Sequence, residues 1–157
     1  MRVGPLFALP PVVTLPPSSA ILPRPPRIVV VDDDPKVLAA LRRVIRAAEP
    51  DWIVVTAANG RQALELMGEG AVDVVVTDLH MPVMDGFQLL QRLERSHPET
   101  IRIVHSSHTA MLATELLRFL AHNVIAKPTP ATEIVALLRW AVRSAGAVLR
   151  DIEVAQR

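Results

Sequence analysis

Asp32, Asp33 and Asp78 each stand at the end of a short apolar run, and Lys127 closes another. The runs are Ile28-Val29-Val30-Val31 before the acidic pair, Val74-Val75-Val76-Thr77 before Asp78, and Asn123-Val124-Ile125-Ala126 before Lys127-Pro128. Runs of β-branched residues separated by helical patterns read as buried parallel strands. In such sheets, functional groups collect at the carboxyl ends of the strands. Three carboxylates and one ammonium at that edge make a small acidic pocket for a divalent cation, with one cationic arm. That is equipment for phosphoryl transfer onto an aspartate.

An alternation of strands and helices must hold these groups. Strand 28–32 leads into Asp34-Pro35, where Asp34 can cap a helix and Pro35 suits its first position. Val37, Leu38, Leu41, Val44 and Ile45 then follow helical spacing to about residue 48. A second strand is expected over 52–55, broken by Asn59-Gly60, with a short helix over 62–67. A third strand over 72–77 precedes a loop at 81–86 and a helix over 87–95. Strand 101–105, helix 109–120, strand 124–126 and a long helix over 131–150 complete the pattern. Five strand–helix pairs imply a doubly wound α/β domain with a five-stranded parallel sheet and right-handed crossovers.

Composition agrees. At 157 residues, with 50% hydrophobic content and a mean hydropathy of +0.32, the chain suits one domain with a real core and a tail. Residues 1–26 hold Pro5, Pro10, Pro11, Pro16, Pro17, Pro23, Pro25 and Pro26, so helix and interior strand are excluded and a disordered or polyproline II tail is expected. A PxxP-type ligand is the functional alternative for this tail. A secretory signal fits poorly, because prolines break its apolar stretch. Arg2, Arg24 and Arg27 face no acid in residues 1–27, which leaves the remainder with fourteen basic against sixteen acidic residues. That balance, 3% aromatic content and the absence of tyrosine point away from nucleic acid. No apolar stretch is long enough for a membrane span. With zero cysteines, disulfides and thiolate metal sites are excluded.

The last helix has a second reading. Ile134, Leu138, Ala141, Ala145, Val148 and Ile152 recur at heptad spacing. They form either a core-facing stripe, or a homodimer seam, or the start of a connector to an output domain.

Three segments, Val31-Asp32-Asp33-Asp34-Pro35, the stretch from Thr77-Asp78 through Met81-Pro82-Val83-Met84-Asp85-Gly86, and Lys127-Pro128, resemble the receiver domain of bacterial two-component response regulators. The resemblance covers about residues 27–145, leaving 1–26 as the proline-rich tail and 146–157 as a helical extension or connector. Residues 102–108 and 121–123 also resemble receivers found ahead of HD-type output domains. The resemblance implies a flavodoxin-like sheet of strand order 2-1-3-4-5 with five helices, the last extended. It implies that Asp78 is the phosphoacceptor, and that Mg²⁺ is held by Asp33 directly, by Asp32 through water, by Asp78 and by the backbone carbonyl of His80. Lys127 would pair with Asp78 and then with its phosphate, and the Ser106 hydroxyl would donate to a phosphate oxygen. Ser107 is the rival for that role by one residue. A cis Lys127-Pro128 bond is implied. The implied partners are a sensor histidine kinase or a phosphotransfer protein, and a downstream protein. The implied activity is self-phosphorylation and self-dephosphorylation in the cytoplasm rather than metabolic catalysis.

Departures from the family pattern narrow this reading. The position three residues before the lysine is usually aromatic and here is Val124; the position after Ser106 is usually Ala or Gly and here is Ser107. Output through another surface, the last helix, is therefore expected. Asp73 and Asp85 read as loop and turn residues. His80 and His108 read as loop histidines at the pocket rim that tune dephosphorylation, rather than as zinc ligands. Two other function classes compete. One is a receiver-like interaction module that does not use phosphorylation. The other is an aspartate-nucleophile phosphohydrolase, which would carry a second acid where His80 stands. A nucleotide-binding Rossmann reading fails, since no Gly-x-Gly-x-x-Gly follows the first strand.

Overall fold

A computed structural model describes residues 24–108 and 114–155, the last eight of these by backbone alone. The proline-rich segment up to residue 23, the expected helix start at 109–113, and the side chains of Val148 and Ile152 lie outside the described residues.

β1 (Arg27–Val31), β2 (Ile53–Ala57), β3 (Val74–Thr77), β4 (Ile101–Ser106) and β5 (Asn123–Ala126) form one parallel sheet in the order β2-β1-β3-β4-β5. This is the expected flavodoxin-like order. The central strands are apolar on both faces because helices cover both. On one face Ile28, Val30, Val74, Val76 and Ile103 pack against Leu41 and Ile45 of α1 (Pro35–Ala48) and Ile134 and Leu138 of α5 (Ala131–Ala155). On the other, Val29, Val31 and Val75 meet Ala63 and Met67 of α2 (Gly60–Gly68) and Leu89 and Leu93 of α3 (Gly86–Ser96). A third cluster joins Leu79, Leu90 and Val104 to Leu117 and Leu120 of α4 (Glu115–Leu120).

Side-chain caps start the helices. Asp34, Asn59, Asp85 and Thr114 accept from the backbone N–H of Lys36, Gln62, Gln88 and Leu117 respectively. Asn59-Gly60 therefore opens α2 rather than only ending β2. Gln62 returns the favour: its Oε1 accepts from Ala58 N–H at 2.7 Å, a reciprocal cap. Asp85 is the cap of α3 rather than a plain turn residue.

Tertiary contacts sharpen two readings. Asp73 is the expected loop residue, but a buried one: it is 2% exposed and accepts from both terminal nitrogens of the Arg24 guanidinium, at 2.9 and 3.0 Å, and from Arg27 N–H at 2.7 Å. The heptad stripe on α5 is core as far as it is described. Ile134, Leu138, Ala141 and Ala145 are 6%, 1%, 0% and 1% exposed within the domain itself. They are not free to form a dimer seam.

Buried Arg102 locks the α4–β5 connection. Its Nε donates to Leu120 O at 2.7 Å and its backbone N–H to His122 Nδ1 at 3.0 Å, while His122 N–H donates to Arg102 O at 2.8 Å. An accepting Nδ1 must be unprotonated. Burial, then the Arg102 charge, accordingly pushes the His122 ring below its usual 6.5. The unfolded chain then takes up the proton first, so this contribution to stability is complete above about pH 6.5 and is lost as pH falls through the folded value. Urea midpoints should fall between about pH 7.5 and pH 5, and His122→Asn should flatten part of that fall.

Gly86 is dictated by a close approach. A Cβ there would stand 2.0 Å from Asp78 O and 2.8 Å from Leu79 Cα. Gly86→Ala should cost about 1–3 kcal/mol in a urea melt. Gly68→Ala, where a Cβ meets nothing within 4 Å inside a helix, should be neutral or stabilising by up to about 1 kcal/mol.

Candidate functional site

Register builds the pocket. Val31 pairs with Thr77, and Thr77 with Val104, so Asp32, Asp78 and His105 follow side by side at the carboxyl edge of β1, β3 and β4. Ser106 pairs with Ala126, and Lys127 N–H donates to Ser106 O at 3.0 Å, which brings Lys127 to the same edge. The Lys127-Pro128 bond is cis.

Lys127 Nζ donates to Asp32 Oδ2 at 2.5 Å and to Asp78 Oδ2 at 3.1 Å. Each aspartate uses its other oxygen locally: Asp78 Oδ1 accepts from Leu79 N–H at 2.6 Å, and Asp32 Oδ1 from Asp34 N–H at 2.9 Å. Asp32 and Asp78 are buried at 3% and 8% exposure, while Asp33 is exposed. Carboxylate oxygens of all three lie within 4.8 Å of one another. Hard oxygen donors at that span suit a small divalent cation such as Mg²⁺. Three carboxylates against one ammonium also leave two negative charges to be neutralised, so the donor set fits the ion. Among the described residues, no histidine joins this cluster.

Burial alone would raise the Asp78 carboxyl. The Lys127 and Ser106 hydrogen bonds, the Lys127 charge and the Leu79 N–H outweigh burial and hold it below the usual 3.8. Burial likewise opposes charge on Lys127, and hydrogen bonds and charge from Asp32 and Asp78 overcome it, raising the ammonium above 10.5. Asp78 is thus an ionised carboxylate at neutral pH, beside a protonated lysine.

Ser106 is fully buried, and its Oγ accepts from His108 N–H at 3.3 Å; Ser107 is exposed. The strand register favours Ser106 over its rival. His80 and His108 are both exposed, and their rings stack at 3.8 Å between centroids and 29° between planes. Val124 packs at the margin of the Leu79–Leu90–Leu117 cluster under α4. One pocket neighbour escaped notice in the sequence. His105 is 7% exposed, and its Nε2 has no hydrogen-bond partner. The available signal was parity: His105 shares its strand face with Ile101 and Ile103 and its row with Asp78.

Comparison with known proteins agrees with this geometry. Residues 28–139 match the family model described as the response regulator receiver domain. The chain is 34% identical over 124 residues to the transcriptional regulatory protein PrrA of Mycobacterium bovis, covering 77% of this chain and 52% of that protein. It is 33% identical over 120 residues to a protein-glutamate methylesterase/protein-glutamine glutaminase of Rhodospirillum rubrum, covering 74% of this chain and 31% of that protein. It therefore spans about half or less of the length of these relatives. The crystal structure of the signal receiver domain of an HD domain-containing protein from Pseudomonas fluorescens superposes with a TM-score of 0.73 at 27% identity, covering 82% of this chain and 95% of that one. An acidic pocket at the carboxyl edge of a 2-1-3-4-5 sheet, closed by a lysine after β5, thus accompanies a family match over most of the chain, which belongs to the response regulator receiver domains of two-component signalling.

Proposed function

We propose that this receiver is a phosphorylation switch. It accepts a phosphoryl group from the phosphohistidine of a sensor kinase or phosphotransfer protein onto Asp78, and so changes its affinity for a downstream protein in the cytoplasm. One observation carries the reading: Lys127 bridges Asp32 and Asp78, with Asp33 close enough to complete a cation site.

In this mechanism a carboxylate oxygen of Asp78 attacks phosphorus. The O–P bond forms as the P–N bond to the donor breaks, and the imidazole leaves with the electron pair. Asp33, Asp32 through water, Asp78 and the His80 carbonyl would hold Mg²⁺, which supplies charge neutralisation on the transferring group. Lys127 shifts its donors from the carboxylates to a phosphoryl oxygen. The Ser106 hydroxyl donates to another. The stacked His80 and His108 limit the approach of water and so set the lifetime of the acyl phosphate.

Residues 27–145 form the receiver unit in this reading, and α5 beyond residue 145 acts as a connector. A homodimer through α5 would have to use residues other than Ile134, Leu138, Ala141 and Ala145, because these are core. A second reading, an interaction module indifferent to phosphorylation, is favoured by Val124. With a small aliphatic side chain packed under α4, the usual rotation of an aromatic ring has no counterpart.

Intact-mass measurement after incubation with acetyl phosphate separates the two. The wild type should gain one phosphoryl group, EDTA should abolish the gain, and Asp78→Asn should show none. A wild type that binds Mg²⁺ yet stays unmodified would favour the second reading.

A further inference from the structure

β4 carries a histidine where its own pattern calls for an aliphatic residue. Ile101 and Ile103, on the same strand face, lie in the α1/α5 core at 3% and 0% exposure. His105 follows them at 7% exposure, with Nε2 buried and unpartnered. A buried polar atom without a partner is costly, and points to a water, an ion or a function.

Its surroundings show which. The sheet register sets His105 beside Asp78, with Asp32 next in the row. His105 also pairs with Ile125, two residues before Lys127. Burial lowers the ring from its usual 6.5, the Lys127 charge lowers it further, and Asp32 and Asp78 oppose this, so the imidazole lies within the field of all three pocket groups. A neutral imidazole offers one acceptor nitrogen, and an ammonium has three donors. Lys127 uses two of these on Asp32 and Asp78.

We propose that His105 is a positioning residue for Lys127: Nε2 accepts the remaining ammonium donor through one buried water, and keeps the lysine in the pocket while Asp78 takes up a phosphoryl group. The inference rests on the phosphoacceptor reading of Asp78. During transfer, Lys127 must exchange carboxylate partners for a phosphoryl oxygen. An anchor that the reaction does not consume keeps its long, flexible side chain in reach. A neutral anchor does so without competing with the phosphoryl group for the positive charge.

Two measurements on the full chain test this. Long-range ¹H–¹⁵N NMR at neutral pH reads the His105 tautomer, and a neutral ring protonated on Nδ1 with an accepting Nε2 is expected. An Nε2-protonated ring or an imidazolium overturns the proposal, whether or not Asp78 is ever phosphorylated. A double-mutant cycle on the rate of phosphorylation by acetyl phosphate reads the consequence. His105→Val should slow the reaction roughly three- to tenfold, the scale of one hydrogen bond, and His105→Gln, whose amide oxygen is a neutral acceptor, should restore it to within about twofold. In a Lys127→Ala background, His105→Val should have no further effect. An undiminished effect without Lys127 would show that His105 acts through packing alone. A wild type that takes up no phosphoryl group would instead remove the phosphoacceptor reading, and the tautomer would still decide this one.

Discussion

The ion pair that Lys127 makes with Asp32 and Asp78 reconciles the fold with its site. Parallel packing brings the ends of β1 and β3 side by side, so their terminal carboxylates cannot avoid each other. Two such charges within 4.8 Å of each other repel by at least about 3 kcal/mol at an effective dielectric constant of about 20. The sheet tolerates this because β5 delivers an ammonium between them, at 2.5 and 3.1 Å. The compensation is incomplete, since Asp33 adds a third carboxylate. What remains is a site whose own charge imbalance favours a divalent cation.

Signal must leave this pocket by physical contact. The Ser106 hydroxyl accepts from His108 N–H, so the hydroxyl expected to turn toward a phosphoryl oxygen is already tied to the backbone just after β4. Further along the chain, α4 exposes Leu116 at 51% and Phe119 at 72%, while Leu117 and Leu120 are buried beneath it. Its far end is held by Arg102 on Leu120 O. Thr114 caps its near end, so both ends of this short helix are fixed by hydrogen bonds. Val124 packs at the margin of the cluster under that helix, so no aromatic ring is present there to rotate.

Much of this was legible in the sequence, because each signal had a local cause. Val29-Val30-Val31 and Val74-Val75-Val76 are buried on both faces, and continuous β-branched runs state that directly. Asp34 and Pro35 marked the start of α1 by cap chemistry. Asp32, Asp33, Asp78 and Lys127 were found because strand ends in a doubly wound sheet converge. The reading stayed open or incomplete where tertiary partners decide. Asp73 is the loop acid it looks like, and only the fold shows that Arg24, 49 residues away, closes on it. Asn59-Gly60 carries both a strand-breaking and a helix-capping signal, and only the reciprocal bond from Gln62 selects between them. The α5 stripe has heptad spacing because a helix lying along a sheet also needs one apolar face, and nothing in the spacing tells a sheet from a second helix. His105 was missed because its role depends on the register of β3 against β4, which no single segment contains.

The most direct measurement chemically marks the acceptor. Acyl phosphate formed with acetyl phosphate and Mg²⁺ is reduced with borohydride, which converts the phosphorylated aspartate to homoserine, and the altered residue is mapped by peptide sequencing in the mass spectrometer. Conversion at Asp78 alone is the expected result. Conversion at Asp32 or Asp33, or no conversion anywhere in protein that demonstrably binds Mg²⁺, would contradict a pocket built around Asp78.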